Sequence, residues 1–145
     1  MSARLVSTAI DVPALVRQVA AAGHGATVLF LGTVRNSNEG RAVAGIEYSA
    51  YAAMAIAEME RIVAEARARF DGVAAAVEHR IGTLGIGDVS VAIACAHPHR
   101  RPALDANRYL IEELKRRVPI WKRERYVDGT SEWVDPTRSG TGVAG

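Results

Sequence analysis

A proline set between two incompatible periodicities constrains this chain more than any other feature. Residues 103–118 carry apolar side chains at helical spacing (Leu104, Leu110, Ile111, Leu114 and Val118), and Pro119 follows at once. Proline lacks an amide hydrogen and pushes the residue before it out of the helical region, so the helix has to stop at Val118. Trp121 to Val127 then reads as a strand, Asp128-Gly129 as a hairpin turn, and Ser131 to Val134 as the returning strand. Lys115, Arg116, Arg117, Lys122 and Arg123 flank this break. A solvated basic tail has no need of the proline or the tryptophan. A helix end meeting a strand start, with a lysine on each side, can instead direct two amines into one pocket. On a 3.6-residue wheel Lys115 lies at the edge of the buried face, where a long side chain reaches past the core into a cleft.

Upstream, Arg4 to Thr8 reads as a short strand. Asp11 caps a helix with Pro13 in its first turn and Leu15, Val16 and Val19 as its stripe, ending by Gly23. Ala26 to Val34 is a continuous run of strand formers and predicts a buried strand, Arg35 to Arg41 a mobile polar loop, and Val43 to Ser49 a strand. Ala52 to Phe70 is the clearest helix, with Met59, Ile62, Val63, Ala66 and Phe70 inward and Glu65 paired with Arg69 outward. Val73 to Ile81 and Val89 to His97 are strands. The glycines of Gly82 to Asp88 between them run in the order GxxGxG with no helix behind, which predicts a tight connection and not a dinucleotide fingerprint. The order βαββαββαββ predicts one α/β (α+β) domain over residues 1–138, with helices packed on a mixed or mostly antiparallel sheet. The Gly-rich tail, residues 139–145, is expected to be disordered.

Composition narrows the function. Cys95 is the single cysteine, so an internal disulfide and a Cys-based zinc site are excluded and a reducing compartment fits. No apolar run is long enough to span a bilayer and the N-terminus lacks a signal core, so the expected location is cytoplasmic, away from membranes. A net charge of +2 argues against a nucleic-acid coat while leaving room for a local anion site.

Lys115 and Lys122 are the candidate catalytic amines. A lysine that is partly desolvated beside another cation favours its neutral form and can act in proton transfer or as a nucleophile. The plainer reading is two surface lysines that favour a helix C-terminal dipole. His99 and Arg100 sit where a strand turns into a helix, a natural place to bind phosphate or carboxylate. Arg35, the first residue beyond a core strand, is placed to clamp an anion, and Phe30 on that strand to line the same cleft. Cys95, His97 and His99 alternate, yet positions i to i+4 of a regular strand spread over more than ~10 Å, too far for one ion. Cys95 reads as a small buried apolar residue, His24 as part of a turn and His79 as part of a structural strand. No hydrolase triad, P-loop or carboxylate pair is present, so the expected ligand is a small anion, with no metal and no cofactor.

Phe30-Leu-Gly-Thr-Val-Arg35-Asn36, His79-Arg80-Ile81-Gly82, His99-Arg100, and Leu114-Lys115 through Pro119-Ile-Trp121-Lys122-Arg123-Glu124 resemble blocks of the large, catalytic subunit of molybdopterin synthase, the MoaE family. The resemblance runs from about residue 4 to Val134. It implies an α/β hammerhead-type fold and a homodimer within a heterotetramer, with a small ubiquitin-like sulfur-carrier subunit at each end. The carrier's C-terminal Gly-Gly thiocarboxylate would enter the large subunit's pocket and sulfurate cyclic pyranopterin monophosphate to molybdopterin in two transfers. Because the thiocarboxylate is itself an anionic nucleophile, no catalytic cysteine pair is required. By resemblance Lys115 is the main amine and Lys122 its neighbour. Phe30, Arg35, His99, Arg100 and Arg138 bind substrate, with His99 and Arg100 serving the partner's site. Arg138 falls slightly out of register beyond Pro136, and His97 and Pro98 stand where smaller residues are expected. Two other readings compete: a non-catalytic adapter that grips a ubiquitin-like tail, and a nucleic-acid binder along Lys115 to Arg125 with steep salt dependence.

Overall fold

A computed structural model describes residues 2–134. Its elements are β1 (Ala3–Val6), α1 (Val12–Val19), β2 (Ala26–Thr33), β3 (Ser37–Asn38), β4 (Arg41–Ala50), α2 (Ala52–Arg69), β5 (Ala74–Arg80), β6 (Gly82–Gly85), β7 (Val89–His97), α3 (Arg100–Arg117), β8 (Ile120–Tyr126) and β9 (Ser131–Val134). They form the mixed α/β domain that the sequence predicts, but divided into two sheets. One has the order β1-β5-β7-β2, with β1 parallel to β5 and the other pairs antiparallel. The other has the order β3-β4-β8-β9, with β6 added to β4.

Strand β7 explains the layering of the first sheet. Val91, Ile93 and Cys95 face one side with Met59, Ile62, Val63, Ala106 and Leu110 of α2 and α3. Ala92, Ala94 and Ala96 face the other side with Leu15 and Val19 of α1. Both faces of β7 are therefore covered, and burying each Leu or Ile of these helices contributes roughly 1.5–3 kcal/mol. Asp11 caps α1 through Ala14 N–H at 3.1 Å, as its position predicts.

Several expectations need correction. The apolar run of β2 is an edge strand, not a buried one: Leu29 and Leu31, on the same sheet face as their partners Ala94 and Ala92, are 39% and 40% exposed. The polar stretch 35–41 is no mobile loop. It folds into the β3–β4 hairpin, turning at Glu39 and Gly40 with φ of 50° and 80°, the sign a two-residue hairpin loop requires. The Gly-rich connection contains β6, which pairs with β4 from Gly45 to Tyr48. Gly45 is obligatory there, since a Cβ would come within 2.9 Å of the Leu84 carbonyl oxygen. Helix α1 ends at Val19, short of Gly23, and α3 begins at Arg100, ahead of Ala103. Leu104 is exposed, the inner face of α3 being Ala103, Ala106, Asn107, Leu110 and Leu114. Glu65 does not pair with Arg69; it receives Arg117 and Tyr109. The tail 139–145 lies outside the described residues.

Candidate active site

The predicted break is present. Helix α3 ends at Arg117, Val118 leaves the helical region at φ −80° and ψ 127°, and β8 starts at Ile120. Strand β8 alternates strictly, burying Ile120, Lys122, Glu124 and Tyr126. Against β4 its register places Lys122 opposite Tyr48 and Glu124 opposite Ile46. Two charged residues thus face inward. The Lys122 Nζ lies 3.1 Å from Glu124 Oε1, with the two residues only 7% and 2% exposed. Glu124 also accepts two hydrogen bonds from Asn38 Nδ2, at 3.0 and 2.8 Å, and one from the Tyr126 hydroxyl at 2.9 Å. Burial alone would raise its pKa, but the bonds from Asn38 and Lys122 outweigh that and hold the carboxyl below its usual value. A buried ion pair is poor evidence for stability, because desolvating both charges offsets their attraction. Its placement in a cavity wall points to function.

Lys115 meets the opposite environment. Among the described residues no carboxylate pairs with it. Burial, and secondarily the charge of Lys122, push its amine down to about 8. It lines a cavity with Lys122, Tyr48 and His79, closed by apolar side chains including Val77, Val91, Leu114 and Ile120. A second, polar cavity adjoins it, lined by Thr33, Arg35, Ser37, Asn38, Ser90 and Glu124. Tyr48 and Lys122 belong to both walls.

His79 does more than the structural role its strand suggested. Its Nδ1 lies 2.8 Å from the Arg80 carbonyl oxygen, which can only accept, so Nδ1 carries the hydrogen. Burial, with Lys115 nearby and against the Arg80 bond, pushes its pKa down to about 4. The ring at neutral pH is therefore uncharged, with a bare Nε2.

Lys115, Lys122 and Arg35 are thus brought together around two joined cavities. Phe30 packs against the main core beside them and is not in either wall. His99 and Arg100 stand at the far end of α3, about 22 Å from Lys115 at 1.5 Å per residue, so a single chain does not bring them to the lysines. Arg138 lies outside the described residues. The Cys95–His97–His99 alternation holds no metal cluster among the described residues. His97 instead donates from Nε2 to the Asp71 carbonyl at 3.0 Å and accepts the His99 N–H at Nδ1, at 2.9 Å, bracing the entry to α3. Burial pushes the Cys95 thiol up to about 12, so it stays protonated and inert. Trp121 faces away from the cavity, edge-on to Tyr51 at 5.5 Å between ring centres.

The residues missed by the sequence reading are Tyr48, Asn38, His79 and the ion-pairing role of Glu124. The alternation from Ile120 to Tyr126 carried a signal for Glu124. Tyr48 and Asn38 had none, since cross-strand register decides their place.

The model of the MoaE protein family matches residues 5–117. The chain belongs to the MoaE family. It is 40% identical over 130 residues to the molybdopterin synthase catalytic subunit of Bacillus subtilis, covering 90% of this chain and 82% of that one. A solved structure of molybdopterin synthase from Staphylococcus aureus superposes with a TM-score of 0.86 at 37% identity, covering 90% of this chain and 94% of that one. The complex of subunits 1 and 2 of molybdopterin-converting factor from Helicobacter pylori has a TM-score of 0.75 over the whole of both chains, and at 22% identity that likeness concerns the fold.

Proposed function

We propose that this chain is the catalytic subunit of a molybdopterin synthase. It takes sulfur from the C-terminal thiocarboxylate of a small ubiquitin-like carrier and delivers it to cyclic pyranopterin monophosphate. The observation that carries the reading is that two lysines in one wall meet opposite surroundings, Lys122 buried against a carboxylate and Lys115 half-buried among apolar side chains. Lys115, at about 8, supplies an amine that can take or give a proton near neutral pH. Lys122, held by Glu124 at 3.1 Å, is a second cation in the same wall and draws the anionic thiocarboxylate into the cavity. The apolar cavity suits a slender tail from which water is excluded. The polar cavity, with Arg35, Asn38 and Ser90, suits an anionic ligand rich in hydrogen-bonding groups.

In this reading two copies of the chain assemble with two carriers as a heterotetramer. The exposed Leu29 and Leu31 of the edge strand β2 are the kind of surface that a second copy covers. His99 and Arg100, remote from their own lysines, then serve the partner's site, and the reaction takes place in the cytoplasm.

The test mixes purified protein, thiocarboxylated carrier and cyclic pyranopterin monophosphate, and follows dithiolene product. Wild type is expected to turn over, and Lys115→Ala to lose roughly 10³-fold or more in rate while still binding the carrier. Absence of product from wild type with active carrier sinks the reading. Carrier binding without turnover in either protein is the outcome for an adapter.

A further inference from the structure

Tyr48 sits at the centre of the site with no role yet assigned. It is buried, lies directly opposite Lys122 in the β4–β8 register, and with Lys122 forms the wall shared by the two cavities. Its ring meets that of His79 edge-on, with centres 5.0 Å apart and planes at 73°, and its hydroxyl has Ser90 of the polar cavity as a neighbour.

The neighbouring groups leave one requirement open. Lys115 acts as a base only while its amine is neutral, so it cannot at that moment offer a positive charge. Lys122 has its charge engaged by Glu124 at 3.1 Å. His79 presents a bare acceptor nitrogen, and the remaining wall of the first cavity is apolar. The neutral O–H donor at the junction is Tyr48. Burial, with Glu124 adding to it and Ser90 opposing, raises the phenol pKa, so the hydroxyl keeps its hydrogen through the neutral range.

We propose that Tyr48 is a further catalytic residue, its phenol donating a hydrogen bond to the oxyanion formed as the carrier's acyl–sulfur bond is cleaved. This rests on the sulfur-transfer reading above. Once the carrier's sulfur has bonded to the substrate, the tail's acyl carbon is joined to it as a thioester. Water adds its oxygen to that carbon and gives one proton to the neutral Lys115 amine, and the carbonyl oxygen becomes the oxyanion that Tyr48 holds. The C=O bond re-forms as the C–S bond breaks, and the electron pair leaves with sulfur as a thiolate on the substrate. The tail is left as a carboxylic acid, which ionises to solvent.

Tyr48→Phe removes the hydroxyl alone and retains the ring contact with His79. In the reconstituted reaction it is expected to lower kcat about 10²-fold, the usual effect of deleting one oxyanion donor. KM for the pterin and affinity for the carrier should stay within about twofold of wild type. A second measurement puts a fluorinated tyrosine at position 48, which preserves shape and lowers the phenol pKa. The alkaline limb of the rate profile is expected to move to lower pH. Wild-type kcat in Tyr48→Phe, a change confined to KM or carrier affinity, or an unmoved alkaline limb each overturn the role of Tyr48 while wild-type turnover upholds the reaction. No product from wild type overturns the reaction and this role with it.

Discussion

Lys115 and Arg117 leave the same last turn of α3 and meet opposite surroundings. Arg117 reaches three carboxylates: Glu58 at 2.7 Å, Glu65 at 2.6 Å and Glu113 at 3.2 Å. Glu65 is held down to about 2 by Arg117 first and by the Tyr109 hydroxyl second. Those bonds, led by Glu65, raise the guanidinium above its already high pKa, so it never changes charge. Lys115 has no carboxylate among the described residues, an apolar cavity around it and a second lysine nearby, and its amine falls to about 8. One side of the turn is a clamp tying α3 to α2, and the other is poised for proton transfer. The residue types suit these two roles, since the planar fork of arginine holds several carboxylates at once, whereas the lysine amine shifts readily when buried.

Breaking each side should have consequences of different kinds. The largest is the loss of turnover in Lys115→Ala described above. The same position should behave unusually in folding. Its folded pKa lies below the unfolded value, so the unfolded chain binds more protons between about pH 8 and 10.5, and stability rises with pH across that window. Below it the penalty is present in full. Lys115→Met is therefore expected to raise unfolding free energy at pH 7 by about 1–3 kcal/mol in urea titration. A catalytic substitution that destabilised the protein would contradict this account.

Lys122→Met should do the reverse, leaving Glu124 buried without its cation and costing about 3 kcal/mol in the same titration. It also sharpens the comparison through pH. Chemical labelling of the Lys115 amine should show a midpoint near 8 in wild type, and Lys122→Met should move it upward by removing the like charge. A midpoint that stays in place would assign the whole shift to burial. The smallest effect is expected on the clamp side. Arg117→Met should lower the melting temperature by a few degrees, an effect that salt diminishes, while partner binding persists.

Much of this was legible in the sequence because it depends on local chemistry. The Pro119 break, the Asp11 cap, the α2 stripe and the Asp128-Gly129 turn all follow from what neighbouring residues allow. The errors have one cause, which is that a single strand does not reveal what covers its faces. The run from Ala26 to Val34 looked buried because it is apolar, yet β2 lies at a sheet edge. The stretch Arg35 to Arg41 looked mobile because it is polar, yet Asn38 is held by Glu124, 86 positions away. His79 read as a structural strand residue, and the cavity beside it exists only once α3 has crossed the sheet.

The sequence by itself determined that a helix ends and a strand begins between Lys115 and Lys122, since proline geometry and side-chain periodicity act within a few residues. It also determined that a cysteine pair could not carry the chemistry. Only the tertiary structure decided which cation is paired with a carboxylate and which is left among apolar side chains. The field at an amine depends on side chains delivered by distant strands and helices: Glu124 to Lys122, three glutamates to Arg117, and to Lys115 an apolar wall with no carboxylate partner among the described residues.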